Sequence, residues 1–432
     1  MSDTFTKFKK SLTNPATWPD NLEWIVTDTS SSSSTKKQSS KFLKEVKKYS
    51  ASPSDLAFLQ YTSGSTSEPK GVMITHGNLA DNLTKITNEL QATDDTVCVS
   101  WLPQYHDMGL IGSYLGALYC GGCGYYMSPL IFLQRPVMWI EAVSKFRATH
   151  LQAPNFAFKL TARKFDASMY CTSKNIIDGK ELLDLSSVRH IINAAEPVTE
   201  ESIDLFFDSF CPFGLKNDVM FPTYGLAEHT VFVCSGGKQK IFVSKKELEI
   251  GLVKEIPSGN GDDVSRLLGC GFPYKQNVDV RIVSPESAQE LEDDQVGEIW
   301  IRSKSKANGY FKKPVETQSE FCAQVGVKIT EDGFKKVNNE NYDVSEGFLR
   351  SGDLGFLHKK ELFICGRIKD LIILGGRNYY PQDIESSAES NVETVRPGCS
   401  AAFTVDPISG GDEEVALILE LREVPKVKVR KR

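Results

Sequence analysis

The sequence lacks any apolar run approaching the ~20 residues that a membrane-spanning helix requires. Its opening, Met1-Ser-Asp-Thr-Phe-Thr-Lys7, has none of the apolar block of a secretory signal, so a cytoplasmic location is expected. It has no excess of positive charge either. Fifty Lys and Arg against 56 Asp and Glu leave a formal charge of -6, which gives no basis for a nucleic-acid partner. Ten cysteines are scattered along the chain, and only Cys120-Gly-Gly-Cys123 is a close pair. Without a second pair at ligand spacing, reduced core thiols are expected rather than a metal or redox centre. No internal repeat is visible.

What remains is an ordinary globular composition, 40% hydrophobic with a mean hydropathy of -0.27. At 432 residues the chain can bury a large core and hold two domains, or one large domain and a partial one. Residues 1–55 are poor in pattern. Trp24-Ile-Val26 could form a short strand, but Ser30 to Ser40 is of low complexity, and the segment is expected to be a linker or remnant. From Leu56 onward short apolar strands alternate with amphipathic helices, which predicts an α/β sheet covered by helices on both faces. Beyond about residue 277 the pattern changes. Val278-Asp-Val-Arg-Ile-Val283 and Gly297-Glu-Ile-Trp-Ile-Arg302 alternate with period two, predicting a smaller antiparallel section.

The most informative stretch is Phe58-Leu-Gln-Tyr-Thr-Ser-Gly-Ser-Thr-Ser-Glu-Pro-Lys-Gly71. Leu56 to Tyr61 reads as a buried strand with Gln60 as the exception, and a helix is expected over Asn78 to Leu90. Between them, glycines allow the backbone to approach an anion closely, hydroxyls and amides donate to its oxygens, and Lys70 adds positive charge. The alternative is a solvated Ser/Thr-rich loop. The spacing is not that of the Gly-x-x-x-x-Gly-Lys-Ser/Thr phosphate loop.

Thr62-Ser-Gly-Ser-Thr-Ser-Glu-Pro-Lys-Gly71 resembles the phosphate-loop signature of adenylate-forming enzymes, the superfamily of acyl-CoA synthetases, peptide-synthetase adenylation domains and luciferases. The resemblance implies that Thr62, Ser63, Gly64, Ser65, Thr66 and Gly71 hold the phosphates of ATP together with Lys70. Leu102-Pro-Gln-Tyr-His-Asp-Met-Gly-Leu110 has the form seen in fatty acyl-AMP ligases, a branch of that superfamily. By that likeness His106 lies beside the acyl carboxylate and α-phosphate, with Asp107 in support. Asn193-Ala-Ala-Glu-Pro-Val198 is similar to a segment that lines the adenine and acyl pocket, giving Ala195 and Glu196 that role, although Asn193-Ala194 stands where Asn-Gly is usual.

Thr223-Tyr-Gly-Leu-Ala-Glu228 is more specific. It implies an adenine platform at Tyr224, a turn at Gly225 and a Mg²⁺ ligand at Glu228. Leu349-Arg-Ser-Gly-Asp-Leu-Gly355 implies a ribose anchor at Asp353. Gly366-Arg-Ile-Lys-Asp370 implies a phosphate or ribose contact from Arg367 and a domain hinge at Asp370.

The expected organisation is therefore an N-terminal segment (1–55), a large adenylate-forming domain of helix-covered sheets plus a small antiparallel section (56–369), and a partial α+β C-terminal domain (370–432). Three readings stay open. The first is ATP- and Mg²⁺-dependent activation of a fatty acid to acyl-AMP, for transfer to an acyl carrier protein or a polyketide synthase. The second is an acyl-CoA synthetase, against which Lys369 before the hinge argues. The third is a non-catalytic adenylate- or acyl-binding module, because the late lysine context of the superfamily is missing and the basic end Glu423 to Arg432 does not supply it. The polar stretch Phe321 to Ser345 falls near an insertion typical of the ligase branch.

Overall fold

A computed structural model of the chain describes residues 50–62, 69–172, 181–257, 259, 261, 263–330, 333–336, 346–374, 377–405 and 414–422. The chain divides into two units, 1–51 and 52–432, and the second is described here. The segment 1–49 and the core of the hydroxyl-rich loop, 63–68, lie outside the described residues.

The expected helix-covered sheet is present. Six strands run in the order Cys234–Ser235, Met220–Tyr224, His190–Ala194, His150–Pro154, Val97–Ser100 and Cys123–Tyr126. All pair in parallel except the short Cys234–Ser235 edge. Parallel strands need both faces covered, which is why Val99, Leu151, Ala153 and Ile191 are buried in their runs. Helix Glu200–Phe210 contributes Ile203, Phe206 and Phe210, spaced three and four apart on one face. Helix Val137–Lys145 contributes Val137, Trp139, Ile140 and Val143. Each large side chain so buried contributes roughly 1.5–3 kcal/mol.

The expected antiparallel section is a four-stranded sheet in the order Asp279–Val283, Gly297–Arg302, Leu349–His358, Glu361–Arg367. The polar stretch after Phe321 carries a small hairpin, Val327–Thr330 against Gly333–Lys336. Its residues 337–345 lie outside the described residues.

Two expectations are corrected. Leu56–Tyr61 is not a buried strand of the main sheet. It forms a separate two-stranded hairpin with Gly71–Thr75, leaving Leu56 and Tyr61 exposed. Within it Gln60, the polar exception, is the buried residue, because its amide donates to the Tyr105 carbonyl at 3.1 Å. The segment between Tyr61 and Gly71 thus links two antiparallel strands, and a strand rather than a helix comes directly after it. The helix, His76–Glu89, begins after that strand with Thr75 as its cap and Asn78 completing a capping box.

The segment 304–311 fastens this hairpin to the rest. Phe311 N donates to Gly71 O, Met73 N to Gly309 O and Asn308 N to Met73 O. The Asn78 amide donates to the carbonyls of Lys304 and Lys306. On the opposite side Ala307 N donates to Glu228 O and Thr230 Oγ1 to Ser305 O. One stretch of backbone therefore sets the distance between the loop and the Tyr224–Glu228 turn.

Beside that stretch, His229 is fully buried. Its Nδ1 lies 2.8 Å from the Phe232 carbonyl and its Nε2 2.6 Å from Ser303 Oγ. A carbonyl only accepts, so Nδ1 carries the proton and the serine hydroxyl donates to Nε2. Burial pushes the imidazole down from 6.5 to about 4. The neutral form is therefore the native one. Its contribution is full above pH 6.5 and is lost as pH falls toward 4, by about 3 kcal/mol. Urea titrations at pH 7.5, 5.5 and 4.5 are expected to show His229→Gln less stable at pH 7.5, with the gap to the parent narrowing on acidification. A constant gap contradicts the assignment.

Candidate functional site

The hairpin turn closes with Thr62 N donating to Lys70 O at 3.0 Å. Of the expected loop donors, Ser63, Gly64, Ser65 and Thr66 lie outside the described residues. Gly71 pairs with Tyr61 so closely that a Cβ there would sit 3.2 Å from the tyrosine ring. Lys70 does not point into solvent. Its Nζ is 2.7 Å from Glu320 Oε1 and 4.4 Å from the centroid of the Tyr310 ring.

Tyr310 joins this lysine to the second motif. Its hydroxyl is 2.7 Å from Glu320 Oε2 and 3.0 Å from Glu228 Oε1. One hydroxyl has one proton, so it can donate to only one of two carboxylates at a time. The other contact places two acceptor oxygens together unless a proton or cation intervenes. Burial, reinforced by the neighbouring Glu320 and Asp353 charges, accordingly raises the Glu228 carboxyl above the usual range.

Tyr224 ends strand Met220–Tyr224, next to the edge of the six-stranded sheet, and its hydroxyl donates to Asp353 Oδ2 at 2.6 Å. The turn after it requires glycine, since a Cβ on Gly225 would lie 1.8 Å from the Val231 carbonyl oxygen. Asp353 sits within a strand rather than at its end. It lies inside Leu349–His358, directly opposite Arg367, whose Nε is 3.4 Å from Asp353 Oδ1. Burial raises the Asp353 carboxyl, against the lowering effects of the Tyr224 hydroxyl and the Arg367 charge.

The remaining predicted residues sit apart from this chain of contacts. His106 is about half exposed, with Nδ1 2.7 Å from Asp107 Oδ1. The bond to Asp107 raises the imidazole above its ordinary value, against desolvation. Asp107 is itself held by Met108 N at 2.6 Å and starts Met108–Leu115, a turn wound as a π-helix rather than an α-helix. Tyr105, one residue before His106, is the carbonyl partner of Gln60, which ties this loop to the hairpin. Ala195 adopts φ +70, a conformation that usually favours glycine. Glu196 accepts from Phe156 N at the start of helix Asn155–Lys164, and burial raises its carboxyl. Asp370 ends a short 3-10 turn, Ile368–Asp370, that follows Arg367.

The structure thus makes two groups of contacts, Lys70 with Glu228 through Glu320 and Tyr310, and Tyr224 with Arg367 through Asp353, and it adds three residues that sequence reasoning missed. Tyr310 and Glu320 come from the segment after the Gly297–Arg302 strand, where nothing local marked them. Glu298 shares a strand face with Trp300 and Arg302, so that period two alone reads it as an outward charge. Its buried carboxylate accepts from Arg350 Nε at 2.9 Å, Trp300 Nε1 at 2.9 Å and Gly352 N at 3.2 Å. It therefore holds the turn that presents Asp353.

A helix-covered parallel sheet joined to an antiparallel one, with buried carboxylates beside a Ser/Gly hairpin turn, is the architecture of adenylate-forming enzymes. Residues 7–311 match the family model described as AMP-binding enzyme, and the chain belongs to that family. It is 36% identical over 423 residues to a medium-chain-fatty-acid–[acyl-carrier-protein] ligase of Moorena producens, covering 96% of this chain and 65% of that one. It is 38% identical over 374 residues to a Mycobacterium leprae protein provisionally named a fatty-acid–CoA ligase, covering 84% and 59%. Among solved structures, the fatty acyl-adenylate ligase from L. pneumophila in complex with acyl adenylate and pyrophosphate superposes with a TM-score of 0.66 at 38% identity, covering 87% of this chain and 61% of that one. The chain spans less than two thirds of the length of each.

Because Glu298 is buried and satisfies three donors, Glu298→Gln is expected to destabilise the fold by about 3 kcal/mol and to weaken AMP binding by loosening the turn at Asp353. Denaturant unfolding and calorimetric titration with AMP check both. Unchanged AMP affinity in a folded variant means that Glu298 acts on stability alone.

Proposed function

We propose that this chain activates a fatty acid with ATP, forming acyl-AMP and pyrophosphate, and passes the acyl group to the thiol of an acyl carrier protein or polyketide synthase. The observation that carries the reading is a pair of contact sets, Lys70–Glu320–Tyr310–Glu228 and Tyr224–Asp353–Arg367, joined through the short turn from Tyr224 to Glu228. Residues that three separate motifs assign to phosphate, metal and ribose share one locality. The working division is a large domain over 56–369 and a C-terminal domain over 370–432, hinged at Asp370.

A carboxylate is ionised at neutral pH, so its oxygen can attack the α-phosphorus without a general base. The bond from the α-phosphorus to the bridging oxygen breaks, and pyrophosphate leaves with that electron pair. The protein's task is positioning and charge. Lys70 and the donors Thr62, Ser63, Gly64, Ser65, Thr66 and Gly71 take the leaving phosphates. Tyr224 and Gly225 flank adenine beside Ala195 and Glu196, and Asp353 accepts from the ribose hydroxyls. His106, biased toward its charged form by Asp107, and Arg367 face the reacting centre. Glu228 would hold Mg²⁺. A buried carboxylate with a raised proton affinity, sharing one hydroxyl with a second carboxylate, is a hard-oxygen donor short of positive charge, which suits that ion. When bound, the ion neutralises charge on the departing phosphates.

For the acyl tail, a narrow apolar pocket lies behind the helical turn that follows His106, lined by Ile86, Leu90, Cys98, Gly112, Gly116 and Ala117 among others. Gly116 tolerates a side chain, since a Cβ there would meet only the Ile111 carbonyl at 3.4 Å. Gly116→Ala is therefore expected to fold, and to shift the preference from long acids toward short ones. Hydroxamate trapping across a chain-length series measures this, and an unchanged profile places the tail elsewhere.

Pyrophosphate release on adding fatty acid, ATP and Mg²⁺ tests the activity itself. Glu228→Gln and Asp353→Ala are each expected to lower it about a hundredfold or more, and a chain that binds nucleotide without releasing pyrophosphate is a binding module. The name of the M. leprae relative favours a second reading, transfer to CoA. Supplying CoA or a carrier protein to the loaded chain decides between them, and acyl-CoA formation overturns the carrier reading.

A further inference from the structure

Lys70 is the loop cation expected to meet the β- and γ-phosphates, yet its ammonium is already engaged. Glu320 Oε1 lies 2.7 Å away, and both side chains are largely withdrawn from water, at 18% and 33% exposed. Tyr310 lies beneath the ammonium at 4.4 Å and spends its hydroxyl between Glu320 and Glu228. Glu320 comes from helix Pro314–Phe321, which starts just after the segment fastened to the hairpin strand. Its position relative to Lys70 is thereby fixed by backbone hydrogen bonds.

We propose that Glu320 parks Lys70 away from the phosphate site, so that a nucleotide with β- and γ-phosphates must exchange the Lys70–Glu320 pair for a Lys70–phosphate contact. This rests on the reading of Lys70 as the phosphate lysine. The exchange has a definite charge logic. Without nucleotide, Lys70 is the cation beside Glu320, Tyr310 and Glu228. Glu228 would hold the magnesium ion of the nucleotide complex, whose positive charge would replace that of the lysine there, while the lysine meets the phosphates. Part of the intrinsic affinity for triphosphate is spent on breaking the pair, whereas AMP, which has no β-phosphate, leaves the pair intact. The arrangement thus weakens retention of triphosphate and of the pyrophosphate product relative to AMP.

The test is calorimetric titration of the parent chain, Glu320→Gln, Lys70→Met and the double variant with AMP and with magnesium α,β-methylene-ATP, a triphosphate that cannot form the adenylate. Glu320→Gln is expected to tighten the triphosphate analogue about fivefold and leave AMP unchanged. On the Lys70→Met background the same change is expected to have no effect. Tightening that persists on that background is plain repulsion between Glu320 and phosphate, and overturns the proposal. So does weaker or unchanged binding by Glu320→Gln in a parent that binds the analogue; weaker binding makes Glu320 a positioning residue for the lysine. A parent that binds neither nucleotide brings down the functional reading and the parking contact together. Should Glu320→Gln not fold, Glu320→Asp withdraws the carboxylate by one methylene, and the same tightening or its absence decides.

Discussion

The site depends on a shortage of one proton. The Tyr310 hydroxyl stands within hydrogen-bonding distance of both Glu228 and Glu320, and Asp353 adds a third carboxyl close enough to raise the proton affinity of Glu228. Opposing them are Lys70 on Glu320 and Arg367 on Asp353. Buried negative charge is tolerated only when paired, so this locality is built to accept further positive charge.

The backbone makes this arrangement stiff. Segment 304–311 bonds to the hairpin strand on one side and to the Glu228–Thr230 turn on the other, so loop and carboxylate cannot drift apart without breaking buried hydrogen bonds. Asn82 adds a second tie, its amide donating to Phe232 O at 2.9 Å and accepting from Phe232 N at 3.2 Å. The antiparallel sheet contributes in the same way, because pairing Asp353 directly opposite Arg367 sets their contact through strand register. Two sheets of different construction thus meet at the nucleotide locality, each supplying its residues from a fixed frame.

How much of this was legible follows from the range of each interaction. The parallel sheet could be read because strands buried on both faces must be apolar runs, as His150–Pro154 and His190–Ala194 largely are. Tyr224, Glu228 and Asp353 could be singled out because each motif packs its chemistry into a few residues, and the structure brings these together. The hairpin was misread since Leu56–Tyr61 and Gly71–Thr75 pair across a turn whose composition also suits a loop leading into a helix. Glu320 gave no local signal at all, because its partner Lys70 lies 250 positions earlier. Glu298 gave none either, because alternation sets it opposite Ile299 and Ile301 as an ordinary surface charge, and its burial comes from Arg350, Trp300 and the Gly352 turn.

The residues that sequence missed share a property with physical meaning. Tyr310, Glu320 and Glu298 each contact a motif side chain or hold the turn that bears one, and none lies in the motifs themselves. A motif residue is confined by what it must touch on a ligand, which fixes its type and its immediate neighbours. A supporting residue is confined only by the side chain it holds, and any element that the fold carries to that place can provide it. The hydroxyl of Tyr310 is useful because the 304–311 backbone delivers it between two carboxylates, a fact of packing rather than of spacing. The strong local pattern at Lys70 and the silent one at Glu320 are therefore two ends of a single constraint, visible in the sequence only at the end that lies in a motif.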